Sequence, residues 1–122
     1  MRQSLIEKII LNEESLELSA KQERFVKNLT SDLRKGLTKF LKSIGWEDEE
    51  IKDWSRVDTE VRPRYYDDGD DALFIEVGAE LGYEELSELA DELTKVLAKY
   101  YDWYFDVYDS GILVTAIPIG EV

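Results

Sequence analysis

Carboxylates and phenols are the reactive side chains of this 122-residue chain, which has 28 Asp plus Glu and seven Tyr but no His and no Cys. Without imidazole or thiol there is no Ser-His or Cys-His triad, no thiol redox chemistry, no thiolate or imidazole zinc site and no disulfide scaffold. The cluster Asp67-Asp68-Gly69-Asp70-Asp71 presents four carboxylates of the kind that hard cations prefer. An EF-hand loop needs acidic ligands at its first, third and fifth positions before the glycine. Those places hold Arg64, Tyr66 and Asp68, so a solvated turn is expected instead. Asp102 and Asp106 share a strand face but stand ~13 Å apart by strand rise, beyond the separations that two-carboxylate glycosidases use. No Gly-rich phosphate loop, Walker-type motif or Gly-x-Ser-x-Gly elbow occurs, and Asn28-Leu29-Thr30 reads as a chance sequon within a helix. The expectation is a protein that is not an enzyme, with no catalytic residue, metal ligand or cofactor. A carboxylate- or metal-dependent enzyme is the minor alternative.

Tyrosine interleaved with aspartate is the most suggestive pattern: Tyr65-Tyr66-Asp67-Asp68, and then the run from Tyr100 through Tyr104, Asp106 and Tyr108 to Asp109. Tyrosine gives large contact area at small entropic cost, while carboxylates beside it select basic partners and speed encounter. The candidate partner-binding residues are therefore Tyr65, Tyr66, Asp67, Asp68, Asp70, Asp71, Tyr101, Asp102, Tyr104, Asp106, Tyr108 and Asp109. Carboxylates two apart on a strand face recur at ~6.6 Å, near the ~7 Å phosphate spacing of a nucleic acid, but alternating Tyr halves that density. The competing reading is that the tyrosines finish a sheet packed beneath the N-terminal helix.

Charge is segregated along the chain, whose formal total is −13. Residues 1–44 carry nine basic and six acidic side chains, and residues 45–122 carry six basic against 22 acidic. Lys21, Arg24, Lys27, Arg34, Lys35, Lys39 and Lys42 crowd one segment, so a basic helix is tethered to an acidic body, on which tethering favours docking in cis. The net charge repels phosphate backbones and anionic membranes. No apolar run approaches the ~20 residues that span a bilayer, and Arg2, Glu7 and Lys8 interrupt the start, so a cytoplasmic protein is expected.

The elements that must position these residues follow from periodicity. Ser4 and Glu7 suggest a capping box before a short helix over 5–11, and 15–18 alternates like an extended connector. Ser19 and Gln22 form a second box, after which Val26, Leu29, Leu33, Leu37, Phe40 and Ile44 recur at helical spacing until Gly45, with Gly36 a weak point inside. Residues 46–54 read as a short acidic helical linker with Trp46, Ile51 and Trp54 tucked inward. Strands are expected over 57–66 and 72–77, joined by an odd-length loop that sets Val61, Pro63 and Tyr65 on the core side with Leu73, Ile75 and Val77, and Arg62 near Glu76 and Arg64 near Phe74 on the other. Pro63 assigns the first of them to an edge. A helix follows over 83–99, its acids early and lysines late as its dipole favours. A last hairpin runs 103–108 and 112–117. A two-residue turn puts Trp103, Phe105, Val107, Ile112, Val114 and Ala116 in the core and Asp102, Tyr104, Asp106 and Tyr108 beside Leu113, Thr115 and Ile117 on the far face.

The sum is one α+β domain over 1–122: N-terminal helices, then a ββαββ unit whose antiparallel hairpins form a sheet with helices packed on it. That far face is too apolar for water, so the basic helix, a second copy or a partner should cover it. The leading functional expectation is an acidic protein-protein interaction module, in its extreme form a nucleic-acid mimic that inhibits an enzyme by filling its basic cleft. The alternative is a nucleic-acid-binding or regulatory protein that uses the basic helix 20–44, with the acidic part as dimerisation body.

Overall fold

The computed structural model describes residues 18–66, 69–109 and 111–119. Its elements are α1 (Ala20–Ser43), α2 (Asp48–Trp54), β1 (Ser55–Arg62), β2 (Ala72–Ala79), α3 (Tyr83–Leu97), β3 (Asp106–Asp109) and β4 (Ile112–Pro118). This is the expected α+β order. The short helix expected over 5–11 and most of the 15–18 connector lie outside the described residues.

Helix α1 starts where its cap predicts. Gln22 donates its backbone N–H to Ser19 Oγ at 3.1 Å, and Ser19 N–H reaches Gln22 Oε1 at 3.0 Å, so two orphan donors satisfy each other. Leu29, Leu33, Leu37, Phe40 and Leu41 form its buried stripe. Gly36, a weak helix former, has a packing reason: a Cβ there would lie 3.2 Å from both Leu93 Cδ2 and Val96 Cγ2 of α3. Helices α1 and α3 therefore approach closely and lie together on one face of the sheet, joined with it in a single apolar cluster. In the 46–54 segment that ends in α2, the expectation holds for Trp46 and Ile51, which pack against that cluster. It fails for Trp54, which is 57% exposed at the point where the helix gives way to β1.

The four strands are antiparallel in the order β1-β2-β4-β3, which leaves β1 on an edge as Pro63 implied. Val57, Thr59 and Val61 stand opposite Val77, Ile75 and Leu73, so the parity of the first hairpin is the expected one. Its register is four residues away from expectation: Arg62 faces Ala72, Glu60 faces Phe74 and Asp58 faces Glu76. The strand stops earlier because Pro63 and Arg64 already turn. Arg64 sits at φ 55, and its N–H donates to the Asp71 carboxylate at 3.0 Å.

The second hairpin keeps Phe105 and Val107 on the core side as expected, but it corrects the return strand. Leu113 and Ile117 are fully buried and Thr115 nearly so, while Ile112, Val114 and Ala116 lie on the other side, half-buried. The cause is a β-bulge. Asp109 pairs with Ile112, as a two-residue turn requires, but Val107 pairs with Leu113 and Asp106 with Val114, so one extra residue near Tyr108 reverses the parity. Residues 103–105 fall outside any strand, and Trp103, expected in the core, is 40% exposed. Gly111 secures the turn at φ 83: its carbonyl accepts the Ala79 N–H at 2.9 Å, and a Cβ would stand 2.9 Å from the Ala79 carbonyl oxygen.

Beyond α3, Tyr100 and Tyr101 each form an edge-to-face pair with the Phe25 ring, with centroids 5.6 and 5.9 Å away, and so clamp the start of α1. The Tyr100 hydroxyl donates to the Asp32 carboxylate. That hydrogen bond, then burial, then the carboxylate's charge push the phenol up to about 12 from 10.0. A raised acid pKa favours the neutral form in the folded state. The contribution is therefore complete below the unfolded value near 10 and disappears as pH climbs from about 10 to about 12. Tyr100→Phe should lower the melting temperature at neutral pH, and the gap to the parent should close over that alkaline interval. A gap independent of pH would show that the hydroxyl contributes nothing through Asp32. No described helix is long and apolar enough to cross a membrane.

Candidate functional site

The sheet face away from α1 and α3 is the candidate site. Strand alternation sends Arg56, Asp58, Glu60 and Arg62 of β1, Phe74 and Glu76 of β2, and Ile112, Val114 and Ala116 of β4 to this side. Aromatic residues from two flanking segments lean over it. Tyr65 meets Tyr66 edge-on at 5.3 Å and Phe74 at 6.0 Å, and Tyr66 lies 6.5 Å from Trp103. The Tyr66 hydroxyl donates to the Ala116 carbonyl at 2.8 Å, pinning its ring across β4. With Tyr104, Asp106 and Tyr108 from the β3 side, these residues line an open groove of about 750 Å³.

Ring exposure divides the groove into floor and rim. Tyr104 and Tyr108 are 67% and 76% exposed, Tyr65 is 46% exposed, and Phe74 and Tyr66 are half-buried beneath them. Its charges divide as well. On the β1 side the carboxylates are already engaged: Arg56 Nη1 lies 2.6 Å from Glu76 Oε1 and also pairs with Asp58, and Arg62 Nε lies 3.1 Å from Glu60 Oε2. The hydrogen bond to Glu76, then that to Asp58, raises the pKa of Arg56 still further above its ordinary value. The Arg62 guanidinium also sits 3.8 Å above the Phe74 ring centroid. On the β3 side Asp106 has no ion pair or hydrogen bond through its carboxylate among the described residues.

The candidate residues read from sequence divide accordingly. Tyr65, Tyr66, Tyr104, Asp106 and Tyr108 come together in the groove. Asp102 and Asp109 are exposed near it in sequence but do not line it. Tyr101 belongs to the Phe25 cluster on the helical side. Asp71 serves the turn through Arg64, and the Asp70 carbonyl accepts the Tyr66 N–H at 3.2 Å. Asp67 and Asp68 lie outside the described residues. Sequence reasoning missed Arg62, Phe74, Glu76 and Trp103 as groove residues. The alternation Phe74, Glu76 against Leu73, Ile75, Val77 was the available signal for two of them. Among the described residues no group of three or more carboxylates is arranged to hold a metal ion.

The basic helix docks in cis mainly through its apolar stripe; of its basic side chains, Arg34 donates to the Val57 carbonyl of β1 at 3.5 Å. Lys21, Arg24, Lys27, Lys35 and Lys39 are exposed with no ion-pair partner among the described residues, and Lys42 reaches Asp48 at 3.0 Å on the surface. Lys39, Lys95 and Lys99 flank a second groove of about 420 Å³ between α1 and α3. The chain matches no family model, no curated protein and no solved structure in the three comparisons made.

Proposed function

We propose that this chain is a non-enzymatic protein-protein interaction module whose open sheet face receives a cationic surface of another protein. The observation that carries this reading is the groove itself: exposed Tyr104 and Tyr108 beside the Asp106 carboxylate, which has no ion pair among the described residues, over an aromatic floor. Rings that stay accessible in a folded chain are contact area already ordered, and a nearby carboxylate selects for positive charge. The nucleic-acid-mimic form of this reading is weaker, because Arg56 and Arg62 interrupt any row of anions on this face. Calorimetric titration against a basic nucleic-acid-binding protein tests it. Binding at low ionic strength that weakens as salt rises supports the reading; no heat even at low ionic strength ends it.

A second reading has its own support in the exposed Lys27, Lys35 and Lys39 of α1, which have no ion-pair partner among the described residues. There the chain binds nucleic acid, with the lysines on the helical side tracking phosphates. Charge reversal at Lys27, Lys35 and Lys39 in the full chain should then abolish binding to a short single-stranded DNA or RNA and flatten its salt dependence. Nucleic-acid binding unaffected by these changes, or absent from the parent chain, overturns it.

A further inference from the structure

We propose that the open-face groove is a seat for arginine side chains of the partner, and that Arg62 fills part of it in cis as an internal competitor. The inference rests on the reading of this face as a cation-binding surface and adds which cation and at which residues. Its starting point is that the chain already shows how the floor treats a guanidinium: Arg62 places its central carbon 3.8 Å from the Phe74 centroid, over the ring, while its Nε pairs with Glu60. A planar, weakly hydrated cation gains from ring faces and from a forked carboxylate contact together, whereas a lysine ammonium keeps its water and offers a point charge. Across the groove the same two elements recur with no occupant among the described residues: the exposed rings of Tyr104 and Tyr108, and the Asp106 carboxylate. Asp106 is exposed, so an incoming arginine can pair with it without first being buried. A partner that presents a pair of arginines would seat one there and displace Arg62 from Phe74 with the other. The surface charge of the acidic body would speed its approach.

The test uses the full chain and short peptides alternating Gly with Arg, and Gly with Lys, matched in length and charge. Calorimetry should give the arginine peptide an affinity about five-fold higher than the lysine peptide, the gain expected of stacked guanidinium groups. Arg62→Ala vacates the floor and should tighten the arginine peptide by about two- to five-fold more than Arg24→Ala, which removes the same charge from the exposed face of α1. Equal affinity for both peptides, or equal effects of the two substitutions, overturns the arginine seat while leaving a cationic partner in place. Failure of either peptide to bind, when a basic protein does bind, overturns it too; failure of peptides and basic protein alike ends the underlying reading as well. Sedimentation provides the remaining outcome: a dimer lost in Tyr108→Ser would put a second copy on this face and overturn the proposal.

Discussion

Replacing Leu113 with alanine should destabilise the chain by about 3 kcal/mol, while Val114→Ala should cost under about 1 kcal/mol. Leu113 is fully buried in the layer between sheet and helices, and its neighbour Val114 stands on the open face opposite Glu76 and Asp106. Removing buried methyls loses transfer free energy and leaves a cavity, and a total stability of roughly 5–15 kcal/mol makes such a loss easy to see in urea titration. The contrast tests the bulge. Without the extra residue near Tyr108, Val114 would be the core residue and the ranking of the two variants would reverse.

The second large effect concerns binding. The double substitution Tyr104→Ser, Tyr108→Ser should weaken binding to a cationic partner by about ten- to a hundred-fold, as removal of two hot-spot rings does, with little change in melting temperature. Both rings are mostly in water, so the fold does not depend on them. Two other tyrosines separate contact from packing. Tyr83 is 73% exposed but lies at the start of α3, away from the groove, and Tyr83→Ser should leave affinity unchanged. Tyr101→Ser should do the reverse of the double variant, lowering stability through the lost Phe25 contact while leaving affinity intact. Calorimetry paired with thermal melting reads both quantities. An unchanged affinity in the double variant would remove the groove from consideration.

What was legible in the sequence was whatever local chemistry decides. Ser19 and Gln22 announce the start of α1, its leucine spacing names the buried stripe, and alternation gives the correct parity for the first hairpin. The second hairpin defeats the same logic because a bulge is a property of the strand pair. Nothing in the run Asp106-Val107-Tyr108-Asp109 marks which residue is left unpaired, and a shift of one moves every side chain of the partner strand to the other face. The candidate site was half legible for a related reason. Tyr104, Asp106 and Tyr108 come from one segment and stay together, whereas Arg62 and Phe74 join them only through the order β1-β2-β4-β3, which no local pattern encodes, and Trp103, expected in the core, joins because residues 103–105 leave the strand pattern. Tyr101, three residues from Tyr104, falls on the helical side because the chain there is irregular and the strand period does not apply.

The contact at Gly36 reaches further than the two helices it joins. Helix α3 is tied to the segment bearing Tyr104 and Asp106 by the hydrogen bond from the Phe105 N–H to Thr94 Oγ1, 3.2 Å long. A branched side chain at position 36 would act as a wedge against Leu93 and Val96, tilting α3 and pulling on that tether. A substitution at position 36 is therefore expected to be felt at the aromatic rim on the opposite side of the sheet, through α3 and the Thr94–Phe105 hydrogen bond.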